Sequence, residues 1–149
     1  MTDPFELQRF VDAQAPVYAQ VMSELRSGRK RSHWIWFIFP QIAGLGHSTM
    51  ARRYSIASRD EAIAYLKHPV LGPRLVECTE ILCGIQGRSI DQILGSPDDI
   101  KFCSSMTLFE AVSGCPVFRN ALDKFCAGVS DSATLAILKK QSSLEGPTV

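Results

Sequence analysis

Only one stretch of this chain reads as a strand, and a single strand cannot build a sheet. The run is Trp34-Ile35-Trp36-Phe37-Ile38-Phe39, bounded by His33 and Pro40. It shows neither a clear two-residue nor a clear 3.6-residue alternation. Periodicity alone therefore leaves both a buried strand and a short buried helix open. An unpaired strand would strand its own backbone N–H and C=O groups. No second run of this kind is present to pair with it, so helix is the expectation.

The rest of the chain carries helix punctuation. Asp3, Pro4 and Glu6 resemble a cap, a first-turn proline and a capping box, ahead of Phe5, Leu7, Phe10 and Val11. Pro16 opens a second helix with Tyr18, Val21, Met22 and Leu25 at helical spacing, and Gly28 stops it. Ser48 caps a short segment from Thr49 to about Tyr54. Ser58 and Glu61 form a further capping box, and His68-Pro69 breaks that helix. Further helices are expected over Pro73 to Cys83 and Ile90 to Leu94. Ser96-Pro97-Asp98-Asp99 offers a cap, a proline and two carboxylates to a helix ending at Gly114. Pro116 opens the next, with Gly128 as its stop, and the last begins near Ser130-Asp131 and runs to Lys140. The expected fold class is all-α: a single multihelical domain of seven to nine short helices over residues 1–141, with a flexible polar tail over residues 142–149.

A chain of 149 residues suits one domain, and 46% hydrophobic with 21% charged residues is ordinary globular composition. The net charge of +1 gives no global field to recruit nucleic acid or an acidic membrane. The longest apolar run is far too short to cross a bilayer, which takes about 20 residues. The charge is uneven, however. Residues 1–74 carry ten Lys/Arg and six Asp/Glu, and residues 75–149 carry six and nine. Docking between the halves accounts for this as well as an anionic ligand does.

The five cysteines are odd in number, lack a Cys-x-x-Cys and match no zinc spacing. They are expected to be reduced and used as small hydrophobes, which favours the cytoplasm. No metal site and no cofactor are expected: there are three histidines, none paired at i, i+4.

Three segments together resemble a known family. They run from Gly28 through the Trp34–Phe39 stretch to Pro40-Gln41-Ile42-Ala43-Gly44-Leu45-Gly46-His47-Ser48, then from Ala64 to Leu75, then from Pro97 to Phe109. These are similar to the bacterial and fungal domain-of-unknown-function 1810 family, over about Phe5 to Leu138. The resemblance implies a multihelical fold and supports helix at Trp34–Phe39. It supplies no activity. The label "calpastatin" often attached to members does not suit this chain, because calpastatin is disordered and repetitive.

Two segments carry candidate chemistry. The first, Arg29–Ser48, gathers Arg29, Lys30, Arg31, His33, Gln41, His47 and Ser48 around Gly44-Leu45-Gly46. Folded back, its cations, imidazoles and backbone N–H groups could converge on an anion, with Trp34 and Trp36 stacking a flat ring. The bland alternative is a solvated basic turn beside core aromatics. The second, Asp98–Phe109, places Lys101, Ser104 and Ser105 on one helical face at i, i+3 and i+4. A lysine beside a serine can act as base for a hydroxyl nucleophile or hold a phosphate. The bland alternative pairs Lys101 with Asp98 and the serines with backbone carbonyls.

The expectation is that the two segments meet in one pocket that binds, and could act on, a small anionic metabolite or nucleotide. The alternative is a non-catalytic protein-interaction module using an exposed tryptophan or basic patch. Nucleic-acid binding through Arg29–Arg31 and Arg52-Arg53 is weaker because the charge is near neutral. The sequence is silent on oligomeric state and on whether the chain is an enzyme.

Overall fold

The computed structural model describes residues 3–145, with side chains for residues 3–142. Ten helices follow in order: α1 (Gln8–Gln14), α2 (Tyr18–Ser27), α3 (Ile35–Ile38), α4 (Thr49–Arg53), α5 (Arg59–Lys67), α6 (Leu71–Cys83), α7 (Ile90–Leu94), α8 (Asp98–Ser113), α9 (Pro116–Phe125) and α10 (Ser132–Glu145). No strand forms among the described residues; the nearest to one is an isolated parallel bridge between Ile42 and Ile56. The count is one above the seven to nine expected. The Trp34–Phe39 run is helical, as its lack of a partner required.

Helix α8 is the hub, packing on α9, α5, α10, α7 and α3. Its residues Phe102 and Ser104 through Phe109 are all buried, so the middle of the helix is enclosed on every side, while Asp98, Asp99, Lys101 and Glu110 near its ends are only partly covered. A helix enclosed on every side belongs in the centre of a bundle. Two of its hydroxyls are satisfied locally: Thr107 Oγ1 donates to Cys103 O at 2.8 Å and Ser113 Oγ to Phe109 O at 2.6 Å. Phe109 stacks on Tyr65 and Phe118, and Phe102 meets Phe39 edge-on with ring centroids 5.0 Å apart. Helix α3 thus supplies apolar mass to the same core.

The local signals differ in how well they hold. Ser48 accepts from Ala51 N at 3.1 Å and Ser58 from Glu61 N at 3.2 Å, so both caps form. Gly28 and Gly114 end their helices in the left-handed region. At the start of the chain the capping box does not form. Asp3 takes the N–H groups of Leu7 and Gln8, but Glu6 sits at φ 52° and helix starts only at Gln8. Ser96 does not cap α8: the residue before the helix is Pro97, after a cis bond, with no side-chain cap. Helix α9 stops at Phe125, before Gly128. Helix α10 continues to Glu145 where a tail from residue 142 was expected; residues 146–149 of that tail lie outside the described residues.

The cysteine expectation is also corrected. Cys103 and Cys126 are joined in a disulfide between α8 and the end of α9, while Cys78, Cys83 and Cys115 are free. Spacing could not reveal the pair, because 23 positions separate the two residues. No helix among the described residues is long and apolar enough to cross a membrane.

Candidate functional site

The Arg29–Ser48 segment divides in two. Its upstream half closes around Glu24, a carboxylate on α2 that is 3% exposed. Glu24 accepts from the backbone N–H of Arg31 at 2.7 Å and of Ser32 at 3.0 Å, from the Ser32 hydroxyl, from Gln20 at 2.8 Å and from Trp34 Nε1 at 2.9 Å. Burial pushes its carboxyl up, but these donors outweigh it and hold it down at about 2. Trp34 is 1% exposed with its N–H already used, so it cannot stack a ligand. His33 is exposed and points to no hollow described below.

Lys30 is not part of a solvated turn either. Its ammonium lies 2.8 Å from Asp98 Oδ2 at the start of α8, and its side chain is only 7% exposed. This pair joins the basic half of the chain to the acidic half. Lys101 approaches the same carboxylate at 3.9 Å.

The downstream half meets α8 in a hollow of about 320 Å³. Gln41, Leu45 and Gly46 form one wall, Lys101 and Ser104 another, and Asp131 closes it ahead of α10. The Ile42–Ile56 bridge holds the Gln41 wall: Ile56 N donates to Gln41 O and Ala43 N to Ile56 O, both at 2.8 Å. The Lys101 ammonium sits 5.1 Å from the centroid of the Trp36 ring, a cation–π contact between the two predicted segments. Trp36 is half-buried, and its indole N–H has no partner.

Gln41 and Gly46 also line an adjoining hollow of about 190 Å³ with His47 and Arg52. Gly46 is needed there because an added Cβ would lie 2.6 Å from the Ala51 Cβ. Gln41 thus stands between one chamber bearing Lys101 and another bearing His47 and Arg52.

Ser104 Oγ lies 3.2 Å from both Ile100 O and Asp131 Oδ2. Asp131 Oδ2 also accepts from Thr134 N at 3.1 Å and Thr134 Oγ1 at 2.5 Å, capping α10. Asp131 was foreseen as a helix start but not as a wall of the site, because its neighbours come from residue 104 and residue 41. Arg52 was likewise foreseen only as part of a basic patch.

The predicted residues therefore separate. Gln41, Lys101 and Ser104 share one chamber, Trp36 contacts it through Lys101, and His47 lines the next. Ser48 is used as the cap of α4. Ser105 is fully buried on α8 with an unpartnered hydroxyl, so it does not share the Lys101–Ser104 wall. The helical spacing did not separate these two serines, because adjacent residues on a helix buried all round differ only by what packs beyond them. Among the residues described, no group of three or more His, Cys, Asp or Glu is placed to hold a metal.

Comparison with known proteins agrees with this architecture. The crystal structure of the conserved hypothetical protein Rv1873 from Mycobacterium tuberculosis is similar, at 56% sequence identity and TM-score 0.91. The likeness covers 92% of this chain and 99% of that one. No curated protein matches the chain. Residues 4–138 match the family described as "Protein of unknown function (DUF1810)", and the chain belongs to that family.

Proposed function

We propose that this domain binds a small anionic metabolite or nucleotide in the paired chambers on either side of Gln41. The observation that carries this reading is that Gln41, Lys101 and Ser104, from segments about 60 positions apart, line one hollow. The charge balance supports an anion. Asp98 faces both Lys30 and Lys101, and one carboxylate cannot neutralise two ammonium groups. His47 and Arg52 add donors in the next chamber. Asp131 on the same wall opposes this: hydrogen bonds from Ser104 and the start of α10 stabilise its carboxylate without removing the charge, so Arg52 in the next chamber supplies the excess cation. A volume near 320 Å³ sits at the small end of ligand pockets, which run from roughly 300 to 1,000 Å³.

Thermal shift and calorimetry with inorganic phosphate, a sugar phosphate and adenosine monophosphate test the reading. At least one should stabilise the protein, and Lys101→Ala should weaken it about tenfold, the loss of one charge-assisted contact. Silence from all three anions would overturn it.

A second reading, a non-catalytic interaction module, draws on Ile100 and Val129, which are 62% and 65% exposed. The tryptophans do not support it, since Trp34 is buried and Trp36 half-buried. Val129→Asp, which lies outside both chambers, should leave phosphate-class binding intact if the chambers alone are the site.

A further inference from the structure

A third hollow, of about 380 Å³, lies on the other side of Asp131, and both sulfur-bearing residues of the Cys103–Cys126 disulfide line its wall. We propose that this disulfide is an exchange site for a small thiol of neutral or cationic character.

Three observations converge on it. The pair is half-buried and faces the hollow, whereas the free Cys78 is sealed in the core, where burial pushes its thiol up to about 12. The backbone at both cysteines is held without the bond. Cys103 lies within the 16 residues of α8, and Cys126 N donates to Leu122 O at 2.9 Å. The following loop is tied by Gly128 N to Leu122 O at 2.9 Å and by Arg119 Nη2 to Gly128 O at 2.7 Å. The bond can therefore open while the helices stay folded. Finally, Asp99 and Asp131 are the charged residues of the wall; no Lys, Arg or His is among the residues that line it. Carboxylates repel an anionic thiol and attract an aminothiol.

In the exchange, an incoming thiolate attacks one sulfur of the pair. A bond forms between that sulfur and the small thiol, and the Cys103–Cys126 bond breaks with its electron pair on the departing sulfur. That thiolate takes a proton from water. A second small thiol displaces the first as its symmetrical disulfide, leaving two cysteine thiols. The protein pair is reduced by two electrons and two small thiols are oxidised.

The full chain, air-oxidised and native, is incubated with cysteamine, 2-mercaptoethanol and mercaptoacetate at low salt. Peptide mapping by mass spectrometry follows each cysteine, and circular dichroism follows the helices. Each rate is divided by that of the same thiol with a short disulfide peptide, which removes intrinsic reactivity. Adducts should form on Cys103 or Cys126 with the helical signal intact. The normalised rates should fall in the order cationic, neutral, anionic, by about threefold per step, and converge at high salt. Asp99→Asn should narrow the spread. The proposal is overturned if the pair is not bonded in the oxidised native protein, if exchange requires loss of helical signal, or if adducts gather on Cys83 or Cys115 instead. Equal normalised rates would overturn the charge preference. The readout is covalent modification at Cys103 and Cys126, not anion binding between Gln41 and Lys101, so its failure leaves the Lys101 chamber unaffected.

Discussion

The two halves of Arg29–Ser48 make an instructive contrast. Upstream, the backbone N–H groups of Arg31 and Ser32, the Ser32 hydroxyl and the Trp34 indole N–H are spent on Glu24, and Lys30 spends its charge on Asp98. Downstream, Gln41 stands between two chambers, His47 and Arg52 line one of them, and Lys101 shares an already paired carboxylate in the other. Both halves are rich in polar and aromatic residues. Density of such residues therefore does not separate a scaffold from a site. What separates them is whether the hydrogen-bonding capacity is consumed within the protein. A buried carboxylate with five donors stabilises a fold, whereas donors left over at a hollow are available to a ligand.

This contrast predicts where substitutions should hurt. The largest effect should fall on Glu24. Its folded carboxyl titrates near 2 against an ordinary 4.5, so its stabilisation is complete above about pH 4.5 and is lost as pH falls towards 2. The shift corresponds to about 3 kcal/mol. Urea denaturation of wild type and Glu24→Gln at about pH 7 and about pH 2.5 should show the variant losing most of that arm. Identical acid dependence in the two proteins would mean that the upstream half is not the scaffold described here.

A middle-sized effect is expected at Gly46. Gly46→Ala drives a Cβ against Ala51 and should cost about 1–2 kcal/mol, recovered by adding Ala51→Gly. Failure of the second substitution to rescue would show that the wall between the chambers is not set by that contact. The smallest stability effect belongs to Lys101. Lys101→Ala should change the unfolding free energy by less than about 1 kcal/mol, because Lys30 still pairs with Asp98. Paired with the binding loss stated above, this sharpens the contrast: Glu24 matters to stability, Lys101 to ligand. A large stability loss at Lys101 would erase the distinction.

Individual residues show how far local patterns carry. Ser48, Ser58, Gly28 and Gly114 act as their types and positions suggested, because a cap is decided within four residues. Asp3 and Glu6 follow the same pattern and fail as a box, since Glu6 adopts a left-handed turn that delays the helix to Gln8. Ser89 and Gln92 form a full capping box ahead of α7. Arg9 and Glu61, joined at 2.8 Å with Glu61 3% exposed, carried no sequence signal, because 52 positions separate them. The same distance problem hid Asp131 from the site and Cys126 from Cys103.

The chain's own pattern of caps, prolines, glycines and apolar spacing was enough to determine helices and the absence of a sheet among the described residues, because those are contests between a residue and its near neighbours. Which polar groups are consumed and which remain open was decided only when α2, α8 and the Gln41 loop came together. Glu24 finds Trp34, Lys30 finds Asp98, and Lys101 finds Trp36 through space, and no local rule gives the partner of a group whose partner lies on another helix.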